Sequence, residues 1–70
     1  VKKVANKYGT TTVKHGDRFL WNTHKWYVVE FLDDGFIVVR LEGTADVATL
    51  PELLVSELVD EYNYSSYYWR

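Results

Sequence analysis

Between Arg18 and Leu41 the chain carries three short apolar runs separated by two clusters of turn-forming residues. Arg18 to Asn22 reads as a strand. Asn22, Thr23, His24 and Lys25 supply turn chemistry, and the β-branched and aromatic run from Lys25 to Leu32 reads as a second strand. These predict a hairpin with Trp21 opposite Trp26 and Phe19 opposite Val28. Asp33-Asp34-Gly35 then signals a second hairpin, leading into a strand from Phe36 to Leu41. A two-residue loop would place Glu30 on one face with Leu32, Ile37, Val39 and Leu41, burying a carboxylate at a cost on the order of several kcal/mol. A three-residue loop with Gly35 left-handed avoids this by pairing Leu32 with Phe36. It gathers Tyr27, Val29, Phe31, Ile37, Val39 and Leu41 on one face and sets Glu30 diagonally near Arg40 on the other.

That register leaves Phe19, Trp21, Trp26, Val28, Leu32, Phe36 and Val38 on the second face, too apolar to stand in water. The sheet must therefore close on itself or be covered. A cover is encoded downstream: Thr49-Leu50-Pro51-Glu52 fits a capping box with Thr49 as N-cap and Glu52 at N3. Leu54, Val55, Leu58, Val59 and Tyr62 follow at helical spacing, with Glu57, Asp60 and Glu61 on the opposite side, so a helix from about Pro51 to Tyr62 is expected. The competing arrangement has one helical turn at Pro51 to Leu54 and a closing strand from Val55. Residues 1–15 show no clear period, and their start reads as a flexible basic arm over residues 1–14. The expected fold is mostly β within the α+β class: a small SH3-like barrel, or a curled antiparallel sheet, with one C-terminal helix.

Composition narrows this picture without changing it. Seventy residues make one domain, and the absence of cysteine removes disulfides and thiolate metal sites as sources of stability. Packing must supply the stability instead, through three Trp, six Tyr and three Phe. No apolar run approaches bilayer length and no signal-peptide pattern opens the chain, so a cytoplasmic setting with no membrane partner is expected. Val1 in place of Met fits a processed form or a piece of a longer protein.

The net charge of -2 conceals an uneven distribution. Residues 1–25 hold Lys2, Lys3, Lys7, Lys14, Arg18 and Lys25 against Asp17 alone, whereas residues 26–70 hold Arg40 and Arg70 against nine acids. In the basic half, Lys14, Arg18, His24 and Lys25 flank Trp21 and Trp26, the ingredients of a nucleic-acid contact in which cations neutralise phosphates and indoles stack on bases. The same tryptophans also suit a core, and a sequence pI near 5.5 counts against a dedicated nucleic-acid binder. In the acidic half, Glu57, Asp60 and Glu61 on the helix, and Tyr67, Tyr68 and Trp69 within an aromatic tail over residues 62–70, suit a protein partner. The apolar second face leaves room for homodimerisation.

Catalysis and metal binding are not expected. His15, Asp17 and His24 lack metal-ligand spacing and a fourth ligand, and Asp33-Asp34-Gly35 lacks the downstream Glu of a calcium loop. No nucleophile–base pair or phosphate-cradling glycine loop is present, so no enzyme activity and no cofactor are expected.

Gly16-Asp17-Arg18-Phe19, followed by Trp21, Trp26, Val28, Val29, the second hairpin and Leu50-Pro51, resembles the small β-barrel domains attached to bacteriophage Mu-type transposases. The likeness spans roughly residues 15 to 55 and excludes the acidic helix and tyrosine-rich tail. It implies a phage or mobile-element setting in which the module helps hold DNA or packs against neighbouring domains. Two functions are thus expected in competition: a non-catalytic module assisting DNA transactions through Lys14, Arg18, Trp21, His24, Lys25 and Trp26, or a protein-binding adaptor or inhibitor acting through the acidic helix or aromatic tail.

Overall fold

A computed structural model describes residues 1–68, with side chains described through Tyr64. Two antiparallel sheets share one C-terminal helix. β1 (Lys2–Asn6) and β2 (Gly9–Val13) form a separate hairpin, while β3 (Arg18–Trp21), β4 (His24–Phe31), β5 (Phe36–Leu41) and β6 (Val47–Pro51) form a four-stranded meander. The helix α1 (Glu52–Tyr68) packs against both. Among the described residues no ladder closes the sheets into a barrel, and no helix is long and apolar enough to cross a membrane.

The β4–β5 turn forms as its chemistry requires. Gly35 takes φ +85°, the Leu32 amide donates to the Phe36 carbonyl at 2.9 Å, and Phe31 pairs with Ile37. Beyond Glu30 the expected register breaks, because Glu30 pairs with Val38 while Val28 pairs with Val39, leaving Val29 as an extra residue in a β-bulge. An extra residue reverses which face the rest of the strand addresses. Trp26 and Val28 therefore join Phe31, Ile37, Val39 and Leu41 on one face, and pairing with β3 adds Phe19 and Trp21. The expected pair of apolar faces is corrected to a single core face. The reverse face mixes Arg18, Leu20, Lys25, Tyr27, Glu30, Val38 and Arg40 and stands largely in solvent.

The β3–β4 hairpin also differs from expectation. Its loop is Asn22-Thr23, both at positive φ (55° and 65°), so Trp21 pairs with His24 and Phe19 with Trp26. A primed two-residue turn follows the strand twist, which makes His24 and Lys25 strand residues rather than turn residues. Each opposing pair consequently slides by two positions, and the two tryptophans become diagonal neighbours.

Residues 1–14, expected as a flexible arm, instead supply the β1–β2 hairpin, with Val4 and Val13 buried and Lys3, Ala5 and Thr12 turned outward. Likewise Thr49 is not a helix cap; it lies in β6 opposite Val38. The Glu52 amide donates to the Gly35 carbonyl at 3.0 Å, carrying the β5–β6 ladder to the first helical residue. Pro51 sits on the sheet edge, where ladder alternation directs its amide position away from β5 and its missing N–H costs nothing. The helix then runs to Tyr68, beyond the expected end near Tyr62, so the stretch from Val55 is helix rather than a closing strand.

Val55 and Val59 are fully buried between the sheets, with Leu54, Leu58 and Tyr62 half-buried beside them. Ser56 is also fully buried. Its hydroxyl donates to the Leu53 carbonyl at 2.8 Å and accepts from Asn6 Nδ2 at 2.9 Å, while that amide also reaches Thr11 Oγ1 and Asn6 Oδ1 accepts from the Tyr8 amide. A satisfied polar network thus fastens the β1–β2 hairpin to α1 at one register. Nearby, Lys2 Nζ contacts Glu52 Oε2, an oxygen with no other polar partner.

Two substitutions probe these local choices. Asn6→Ala removes three hydrogen bonds of the network and is expected to cost about 1–3 kcal/mol in urea unfolding, against under about 0.5 kcal/mol for the outward Lys3→Ala. Thr23→Gly relieves a β-branched residue from positive φ and is expected to raise stability by about 1 kcal/mol in the same measurement.

Candidate functional site

The six residues expected to touch nucleic acid are divided among three places. Trp26 is 8% exposed and its Nε1–H donates to the Trp21 carbonyl at 3.0 Å, leaving neither its ring nor its donor available to a base. Trp21 is half-buried against it, ring centroids 5.2 Å apart in an edge-to-face contact, and His24 pairs across from Trp21. Arg18 and Lys25 take reverse-face positions in the ladder, and the Lys25 ammonium also lies 6.0 Å from the centre of the Tyr62 ring on α1. Glu42, in the turn after β5, bridges the two cations, with Arg18 Nε 2.9 Å from Oε1 and Lys25 Nζ 3.9 Å from Oε2. Exposed pairs of this kind contribute little stability, but they place a carboxylate where a phosphate would have to sit. Lys14 lies apart in the β2–β3 connection, its amide donating to Asp17 Oδ2 at 2.8 Å.

That connection has a structural task. The Gly16 amide donates to the Val28 carbonyl and the Val28 amide to the Asp17 carbonyl, at 2.8 and 2.9 Å, so the turn is docked against the bulged stretch of β4. The His15 ring meets Phe31 edge-on at 4.8 Å. Gly16-Asp17 thus extends the β3 pairing to Val28, the residue before the bulge.

The second candidate surface is assembled by the hairpin tip. The turn after β1 carries Tyr8 onto α1, where the phenol donates to Glu61 Oε2 at 2.6 Å and the Lys7 amide approaches Glu57 Oε2 at 3.4 Å. Glu57 and Asp60 are half-buried and Glu61 exposed, and all three act on Tyr8. The hydrogen bond to Glu61, then desolvation, then the charges of Glu61, Glu57 and Asp60 push its pKa from 10.0 up to about 12. The Lys7 ammonium lies 5.3 Å from the centre of the Tyr8 ring. Tyr8, Asp60, Glu61 and Tyr64 line an open cleft of about 340 Å³ on this side of the helix.

The acids of this surface are legible in the sequence; Tyr8 and Asn6 are not, and Lys7 reads there as part of a basic arm. Asn6 and Gly9 around the Lys7-Tyr8 tip were the available hairpin signal. Of the aromatic tail, Trp69 and the side chains of Tyr67 and Tyr68 lie outside the described residues. No group of three or more His, Cys, Asp or Glu among the described residues has the geometry to hold a metal ion. No protein-family model, curated protein or solved structure matches the chain. Its surface chemistry therefore carries the functional reading.

Because folding raises the Tyr8 pKa from 10.0 to about 12, the folded state holds this proton more tightly than the unfolded chain. The contact's stabilisation is complete below pH 10 and disappears as pH rises through 12. The urea midpoint of the wild type is expected to exceed that of Tyr8→Phe at pH 8 and to converge on it by about pH 12.

Proposed function

We propose that this protein is a non-catalytic protein-binding module that receives a basic partner on the side of α1 facing the hairpin tip. The observation supporting this reading is the convergence of Glu57, Asp60 and Glu61 around Tyr8, strong enough to hold its phenol protonated to about pH 12. Three carboxylates gathered there also attract a cationic side chain. By contrast, Arg18 and Lys25 alternate with Trp21 and Trp26 along their strands, Glu42 already stands beside these two cations, and Lys14 lies apart in the β2–β3 connection.

Assistance of DNA transactions in a phage or mobile-element setting is the second reading. It draws support from Lys3 and Lys14, exposed and without ion-pair partners among the described residues, and from the resemblance carried by residues 15 to 55. An SH3-like origin of the fold belongs with it, supported by the β3–β4–β5 meander and its bulge at Val29.

Fluorescence-anisotropy titrations with labelled basic peptides and a labelled DNA duplex, at low and moderate salt, separate the two readings. Peptide binding that Asp60→Lys/Glu61→Lys weakens by about ten-fold or more is expected, with no salt-sensitive binding of the duplex. Duplex binding that falls steeply with salt and weakens on Lys3→Ala/Lys14→Ala, without peptide binding, would overturn the proposal.

A further inference from the structure

Resting on the protein-binding reading, the geometry points to the element of the partner that is recognised: one arginine side chain, seated in the cleft lined by Tyr8, Asp60, Glu61 and Tyr64. The cleft's volume of about 340 Å³ equals that of roughly ten waters, enough for one long side chain but not for a folded element. Among the described residues its lining combines two phenol rings with two adjacent carboxylates, a match for a planar, permanently charged guanidinium: the Tyr8 ring accepts its face and the carboxylates its N–H groups.

Electrostatics and local chemistry agree with this occupant. Glu61 uses Oε2 to accept the Tyr8 phenol, leaving Oε1, and Asp60 has no hydrogen bond or ion pair among the described residues. The Tyr8 ring already accepts a cation, because the chain's own Lys7 ammonium lies 5.3 Å from its centre. The Tyr8 proton is held first by its hydrogen bond to Glu61 and then by desolvation, with the charges of Glu61, Glu57 and Asp60 adding to these. A lysine would gain the charge attraction but not the paired, coplanar hydrogen bonds, so arginine is the preferred occupant.

Two-dimensional amide NMR of the full 70-residue chain, titrated with capped Gly-Arg-Gly and with the same peptide carrying citrulline, its neutral isostere, tests the assignment. The arginine peptide is expected to shift the signals of Tyr8, Asp60, Glu61 and Tyr64 saturably. Affinity should fall by about ten-fold for the citrulline peptide and for Asp60→Asn or Glu61→Gln, with the remaining spectrum of each variant unchanged as the check on folding. Tyr8→Phe keeps the ring and frees a carboxylate oxygen, so it should bind the arginine peptide at least as tightly as the wild type.

Equal affinity for the two peptides, or shifts centred on Glu30, Asp33, Asp34 or Asp46, would overturn the arginine cleft. If longer basic peptides still bind and charge reversal on α1 still abolishes their binding, the protein-binding reading stands without the cleft. If no basic peptide binds, both fall.

Discussion

The extra residue at Val29 is the constraint on which the rest of the structure depends. Without it, the apolar residues of β4 would divide between two faces, and the sheet would need a second cover that the described residues do not supply. The bulge gathers Phe19, Trp26, Val28, Ile37, Val39 and Leu50 onto one surface, which one helix can bury. It interrupts the β4–β5 ladder, while on the opposite edge of β4 the Gly16-Asp17 turn continues the pairing with β3 as far as Val28. The position of that turn fixes where β2 ends and therefore where the β1–β2 hairpin meets α1.

From this arrangement follows the division of labour among charges. The hairpin must lie over the helix to bury Val4 and Val13, and its tip then falls beside Glu57 and Glu61. Ser56, held between Asn6 and the Leu53 carbonyl, prevents α1 from rotating relative to the hairpin without orphaning a buried hydroxyl. The acidic side of the helix is consequently not a freely solvated face. It is part of a small interface within the chain, with Tyr8 as the residue both sides share.

The legible and illegible parts of the fold separate along physical lines. Asp33-Asp34-Gly35 fixed its own turn because Gly35 must adopt positive φ, a local requirement written in three residues. Leu54, Val55, Leu58 and Val59 announced a helix because periodic burial leaves a periodic trace. The bulge leaves no local trace: Val28 and Val29 are chemically alike, and only the placement of Trp26 relative to Phe31 decides which one is extra. Thr49-Leu50-Pro51-Glu52 misled because the residues of a capping box also suit a proline-ended edge strand, and pairing with β5 decides between them. At the candidate site, Asp60 and Glu61 could be read from the helix pattern. Tyr8 could not, since 53 residues separate it from Glu61 and only tertiary packing joins them.

Pro51 carries a consequence of a different kind. Along the outer border of β6 the ladder alternation directs the Val47 and Thr49 amides outward, and at the next such position the proline has no hydrogen to offer. An incoming strand from another molecule thus meets a template two donors long, after which the chain turns away into the helix. A border this short is poorly suited to seeding the end-to-end stacking by which exposed sheets grow into fibrils. The residue that resembles a helix-starting signal serves here as a terminator of intermolecular growth.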